Sequence, residues 1–237
     1  MTPKYLDSTL SAELDSVHQK YAPNSQLWVG EAAAAWHSGA DGVTNAFTSS
    51  FWWSDALGVL AAHNHSVYCR QTLLGGNYGL LNRLTYQPNP DFYISQLFHE
   101  LMGDVVLKVT GAAADGHGYL RTYTQCNRGG NGVTLLLINI APNTTFVFSG
   151  GNGNVSWTPR LEYVLTAEQL SSKTINLNGQ PLVVGSSGSA LPPLLPKKVP
   201  SSGSSSSSAE DGTFSLSPHS IAFVVLPDAA ASVCTKR

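Results

Sequence analysis

The residue of this sequence best placed to do chemistry is Glu31, which follows the short apolar run Leu27-Trp28-Val29-Gly30 and precedes the small residues Ala32 to Ala35. A carboxylate just past a strand has two readings, a solvated acid or helix cap, and a catalytic group. The space left by the alanines, and a strand behind the carboxylate to hold it rigidly, favour the second. Trp28, Trp36 and Tyr78 could supply flat apolar faces on which sugar rings stack, although most aromatic residues are core packing. Trp52 and Trp53 are read as packing. Gln71 and Tyr78 fall in or just after a second strand end and its turn, Gly75-Gly76-Asn77-Tyr78.

Other constellations carry less. His63-Asn64-His65 sets two imidazoles one residue apart with no accompanying Cys, Asp or Glu at ligand spacing, so solvated histidines at a helix end are expected and no metal is. The serines lack a Gly-x-Ser-x-Gly elbow. Gly129-Gly130-Asn131-Gly132 reads as a hairpin turn, because no strand-to-helix step surrounds it as a phosphate loop requires. No cofactor is implied.

The elements that must hold Glu31 can be read from spacing. A weak helix over Leu6 to Tyr21 ends before Pro23. Leu27-Trp28-Val29 suits a strand buried on both faces of a parallel sheet. Asp41 can cap a helix in which Val43, Phe47, Phe51, Trp53, Leu57 and Leu60 recur at helical spacing, with a polar side toward solvent. Ser66 to Leu74 reads as a second strand, and Tyr93, Leu97, Leu101 and Val105 as a second amphipathic helix. Strand, helix, strand, helix matches two consecutive units of a (β/α)8 barrel, whose functional residues lie at the C-terminal strand ends.

From about Gly116 the pattern changes to short apolar runs at Tyr119 to Cys126, Val133 to Ile140, Thr144 to Phe148, Leu161 to Leu165 and Ile221 to Leu226, separated by Gly, Asn and Pro turns. The expected fold class is therefore α/β plus all-β: the last βα units of a (β/α)8 TIM barrel over residues 1–112, then an antiparallel β-sandwich over 113–237. The serine-rich run 201–208 reads as a loop with no chemistry of its own.

Composition narrows the partners. The 237 residues are 42% hydrophobic and 12% charged, with a formal net charge of -2. That gives no basic field to draw nucleic acid or an anionic membrane. The longest apolar runs fall far short of the roughly 20 residues that cross a bilayer, so no transmembrane segment is expected. Three Asn-x-Ser/Thr sequons, at Asn64, Asn143 and Asn154, suggest secretion. The stretch Met1 to Asp7 has no apolar core or cleavage pattern, so no signal peptide is expected in this chain. Cys69, in an apolar strand, reads as a buried inert thiol.

Several motifs stand in one order: Leu27-Trp28-Val29-Gly30-Glu31, Gly39, Phe51-Trp52-Trp53-Ser54-Asp55-Ala56-Leu57-Gly58, Arg70-Gln71 with Gly75-Gly76-Asn77-Tyr78, Leu177-Asn178-Gly179, Leu191-Pro192-Pro193-Leu194 and Cys234. Together they resemble the C-terminal portion of plant heparanase-like proteins, of glycoside hydrolase family 79 and β-glucuronidase type, across nearly the whole chain. The resemblance implies a barrel joined to a sandwich. It also implies a retaining mechanism with a glutamate nucleophile after strand seven and a glutamate acid/base after strand four. Glu31 matches the nucleophile. By family position Gln71, Gly76 and Tyr78 line the glucuronate pocket, with the Tyr78 hydroxyl and the Gly76 N–H as donors to the sugar carboxylate or the nucleophile. Cys126 and Cys234 match the family's disulfide, which would pin the C-terminal tail.

Two departures qualify the resemblance. The first six strands, and with them the acid/base glutamate, do not precede Glu31, and none of Glu13, Glu100, Glu162, Glu168 and Glu210 follows a suitable strand. Trp36-His37-Ser38 replaces the family's tyrosine and glycine-rich turn. The expected function is a retaining glycoside hydrolase acting on glucuronate-containing glycans or glucuronides; the alternative is a truncated, inactive chain whose sandwich is structural or binds glycan. For the full-length family the implied location is secreted, vacuolar or lysosomal, or membrane-associated, with peripheral membrane or cell-wall association.

Overall fold

The computed structural model describes residues 11–109, 118–149, 157–185, 190–201, 212–229 and 231–234. Asn154, Glu210 and all but the first residue of the run 201–208 lie outside them. The first part of the chain forms α1 (Ser11–Tyr21), β1 (Leu27–Ala32), α2 (Phe47–Ala62), β2 (His65–Arg70) and α3 (Pro90–Leu101). β1 and β2 pair in parallel with α2 as their connection. Parallel neighbours need such a crossover because a tight turn cannot reverse the chain twice.

Four local expectations are corrected. β1 is not buried on both faces: Trp28 is 61% exposed, and Gly30 and Glu31 are exposed too. α2 starts at Phe47, not after Asp41. Thr44 and Asn45 spend their side chains on the backbone of Ala40 and Gly42, a competition with helix that suits turns. The helix is instead capped by another segment, its Phe47 and Thr48 N–H groups donating to the carbonyls of Ser172 and Leu170 at 2.9 and 2.8 Å. Nor does α2 show a polar side to solvent: its buried positions, among them Ser50, Trp53, Ser54, Ala56 and Val59, run round most of the helix. Finally, the helical spacing from Tyr93 to Val105 is broken after Leu101. Gly103 and the β-branched Val105 and Val106 enter a strand, where pairing with a neighbour outweighs helical spacing.

That strand, β3 (Met102–Leu107), opens the second part and so falls before residue 113. It is followed by β4 (Leu120–Asn127), β5 (Val133–Asn139), β6 (Phe146–Ser149), β7 (Arg160–Thr166), β8 (Asn176–Leu177), β9 (Gln180–Pro181), β10 (Lys197–Val199), β11 (Thr213–Leu216) and β12 (Ser220–Leu226). The main sheet is antiparallel and runs β3-β4-β5-β12-β7-β8-β9, with β10 also on β7; β6 and β11 form a separate two-stranded ladder.

β12 lies at the centre, between β5 and β7, and every one of its residues is buried. Its two faces serve two cores. Ile221, Phe223 and Val225 join Leu136, Ile138 and Leu165 against Phe47, Trp53, Tyr93, Ile94 and Leu97 of the helices. Ala222, Val224 and Leu226 join Leu137 against Phe214 and Leu216 of β11. A continuous apolar run is what a strand covered on both sides requires. Each fully buried Leu, Ile, Val or Phe contributes roughly 1.5–3 kcal/mol.

The helices and the sheet are thereby fastened into one body. Gly58 lets α2 approach β4 closely: a Cβ there would lie 2.2 Å from the Tyr123 ring. Beside it the Tyr123 hydroxyl donates to the Asp55 carboxylate at 2.6 Å, and Arg121 Nε donates to the same oxygen at 2.8 Å. The spacing of Asp55 and Gly58 is thus explained by docking on a single tyrosine.

Cys126 of β4 and Cys234 form the disulfide, at a sequence separation of 108. Reducing it, or replacing both cysteines by alanine, should lower stability by roughly 2–5 kcal/mol, since a long loop is released in the unfolded chain. Urea unfolding of the oxidised and reduced chains checks this. Cys69, by contrast, is an exposed free thiol and not a buried one. No helix among the described residues is long and apolar enough to cross a membrane.

Candidate functional site

Of the expected site residues, Glu31 lies at the end of β1, Gln71 just after β2, and Gly76 and Tyr78 in the loop that follows β2. The Gln71 N–H donates to the Ala32 carbonyl at 2.9 Å, so Gln71 is hydrogen-bonded to the residue beside Glu31. Glu31 is exposed, while Gln71, Gly76 and Tyr78 are half-buried. The Gln71–Thr72 peptide is cis.

The loops leaving the two strands close on one another. Gly76 has φ +63°, and a Cβ on it would lie 3.0 Å from the Ser38 carbonyl oxygen and 3.2 Å from Ser38 Cα. Backbone conformation and space both call for glycine there. The next residue, Asn77, donates its N–H to the Ser38 carbonyl at 2.6 Å. The Gly76 N–H itself donates to no acceptor among the described residues.

Beneath the turn sits a buried ion pair. Arg70 Nη2 donates to the Tyr78 carbonyl and to Asp91 Oδ2, both at 2.8 Å. Asp91, at the first turn of α3, also accepts the hydroxyls of Ser49 and Ser50 of α2 at 2.8 and 2.9 Å. The guanidinium faces the indoles of Trp53 and Trp52, at 4.6 and 5.1 Å to the ring centroids. Burial pushes the Asp91 carboxyl above its usual range, against the pull of Arg70 and the two hydroxyls. One arginine therefore ties β2, its following turn, α2 and α3 together. Trp53 is core, as expected, whereas Trp28 and Trp36 are exposed, Trp36 by 90%.

Residues 1–58 match the family described as Glycosyl hydrolase family 79, N-terminal domain. Heparanase-like protein 1 of Arabidopsis thaliana is 38% identical over 99% of this chain and 47% of its own length. Baicalin-beta-D-glucuronidase of Scutellaria baicalensis is 37% identical over 94% of this chain and 40% of its own length. Over nearly all of its length this chain is similar to plant heparanase-like proteins. It spans about half the length of the curated heparanase-like relatives it matches. In fold it is similar to a 4-O-alpha-L-rhamnosyl-beta-D-glucuronidase from Fusarium oxysporum 12S, with TM-score 0.62 and 15% identity over 94% of this chain and 50% of that one. That likeness is one of fold.

The other glutamates among the described residues are placed as follows. Glu13 lies on α1, Glu100 at the end of α3, and Glu168 in the turn after β7. Glu162 is buried on β7, 2.6 Å from Arg160 and 3.4 Å from Lys197. No group of three or more His, Cys, Asp or Glu among the described residues could hold a metal ion. Of the three sequons, Asn64 and Asn143 are exposed in turns. Sequence reasoning passed over Asp91, because an acid just after Pro90 reads as an ordinary helix-start residue. Only its partner Arg70, four positions past the expected strand start, offered a signal.

Proposed function

We propose that this chain carries the nucleophile side of a retaining glycosidase site acting on β-linked glucuronate, in glucuronate-containing glycans or small glucuronides. Glu31 is the nucleophile. The observation that supports this most is the gathering of Glu31, Gln71 and the Gly76–Tyr78 turn at one end of a parallel strand-helix-strand unit, where barrel enzymes keep their catalytic groups. On this reading β1, α2, β2 and α3 are the last βα units of a (β/α)8 barrel, and the antiparallel sheet with its two-stranded partner is the companion sandwich. Gln71, the Gly76 N–H and the Tyr78 hydroxyl hold the sugar carboxylate or orient the nucleophile. The disulfide and the exposed sequons at Asn64 and Asn143 fit an oxidising, secretory compartment.

Retaining hydrolysis needs a second carboxyl group about 5 Å from the first, to protonate the leaving oxygen and then activate water. Glu13, Glu100, Glu162 and Glu168 stand on other elements, so this reading assigns the acid to a residue outside those described. The acid matters least when the leaving group departs as a stable anion. A dinitrophenyl β-glucuronide should therefore be cleaved at least about tenfold faster than the matching glucoside, whose sugar lacks the carboxylate. Equal rates would count against the glucuronate assignment. The placement of the other glutamates also favours a second reading, in which the chain binds glucuronate without cleaving it. Binding of methyl β-glucuronide, seen by NMR titration, with no turnover of the activated substrate would support that instead.

A further inference from the structure

We propose that Thr44 is a positioning residue for the glucuronate-binding turn, acting through the bend at His37, Ser38 and Gly39 on Gly76 and Asn77. The proposal rests on the reading of that turn given above. His37, Ser38 and Gly39 have φ values of +53, +68 and +74°, three left-handed residues in succession of which only one is glycine. Such backbone persists only when its surroundings over-determine it. The Gly39 N–H donates to the Trp36 carbonyl at 3.2 Å within the bend, and two groups hold it from outside. On one side Asn77 donates its N–H to the Ser38 carbonyl at 2.6 Å. On the other side stands Thr44, 5% exposed.

The Thr44 hydroxyl accepts the Ala40 N–H at 3.0 Å and donates to the Ala40 carbonyl at 3.1 Å. It also fills the hollow of the bend: a Cβ on Gly39 would lie 2.2 Å from Thr44 Oγ1. Thr44 is itself anchored. Three residues later α2 begins, with its Phe47 and Thr48 N–H groups fixed on the carbonyls of Ser172 and Leu170. The hydroxyl thus spans from a helix start held by the loop between β7 and β8 to the bend whose Ser38 meets the Gly76–Tyr78 turn. Without it, Ser38 can relax from the left-handed region, and the surface on which Gly76 and Asn77 rest moves.

Because that turn supplies carboxylate contacts on the reading above, a displaced turn should weaken recognition of the acid and spare a neutral sugar. Thr44→Val removes the hydroxyl and keeps the shape; Thr44→Ser keeps the hydroxyl. Two measurements on the full chain decide the matter: hydrogen exchange of the Asn77 amide, and NMR titration with methyl β-glucuronide and methyl β-glucoside. Thr44→Val should exchange Asn77 faster and raise the Kd for the glucuronide about tenfold, the loss of one hydrogen bond to a charged group, with the glucoside unchanged. Thr44→Ser should restore both. Unchanged Asn77 exchange, or equal weakening for the two sugars, would overturn the positioning role. If the wild-type chain does not prefer the glucuronide, the glucuronate reading falls, and faster exchange in Thr44→Val would still show the bend to depend on the hydroxyl.

Discussion

Glu31→Gln should lower the hydrolysis of an activated aryl β-glucuronide by at least about a thousandfold, the scale on which removal of a covalent nucleophile acts. The amide has the shape of the acid but cannot displace the aryl oxide from the anomeric carbon. Glu31 is exposed at a strand end and lies in neither core, so the change should leave stability within about 0.5 kcal/mol. Affinity for methyl β-glucuronide should also change little, which separates lost chemistry from lost binding. A companion variant, Glu31→Ala, leaves room for an external anion. Added azide should then attack the anomeric carbon from the vacated face, expel the aryl oxide and release a glycosyl azide of inverted configuration. Equal rates for wild type and Glu31→Gln would remove Glu31 from the chemistry.

Arg70→Met should destabilise the fold by about 3–5 kcal/mol, because it leaves the Asp91 carboxylate buried without its counter-charge. Arg70 and Asp91 side chains are 5% and 3% exposed, so water cannot take the place of the guanidinium without opening the α2–α3 contact. The Tyr78 carbonyl loses its donor in the same step. The pH dependence has a definite sign. Burial already holds the Asp91 carboxyl above its usual range, and removing Arg70 raises it further. A carboxyl with a raised folded-state pKa stabilises most below its unfolded value, near 4, and that contribution is lost as pH rises through the folded value. Arg70→Met should therefore be hurt less at pH 4 than at pH 7. Urea titrations at the two values test this, and the double change Arg70→Met with Asp91→Leu should recover much of the loss. If the single variant were equally stable at both values, the uncompensated carboxylate would not be the cause.

Much of this was legible in the sequence, for identifiable reasons. The central strands of the second part announce themselves because β12 and β5 carry apolar residues on both faces, and a continuous run such as Ile221 to Leu226 has few other uses. Cys126 and Cys234 were legible through the resemblance and not through spacing. Less legible were the places where tertiary contacts override local preference. Asp41 looks like a helix cap, yet it pairs with Lys173 and Asn45 while carbonyls from a distant loop cap α2. Val105 keeps the helical beat of Tyr93, Leu97 and Leu101, yet it pairs into a sheet. Asp55 and Gly58 look like helix-surface residues until Tyr123, more than sixty positions away, is brought against them. The proposed site divides the same way: Glu31, Gln71, Gly76 and Tyr78 are candidates that the sequence supplies, whereas the contacts of Ser38, Thr44 and Asp91 come only from the fold.

The most direct test of Glu31 is covalent capture with 2-deoxy-2-fluoro-β-glucuronyl fluoride. Fluoride leaves without help from an acid, and the 2-fluoro group slows release of the glycosyl-enzyme, so capture asks only for a nucleophile and a sugar site. Peptide mapping by mass spectrometry should then find one fluoroglucuronyl group esterified to Glu31, with none on the Glu31→Gln chain. Labelling at another residue, equal labelling of both chains, or no labelling of the wild type would contradict the assignment.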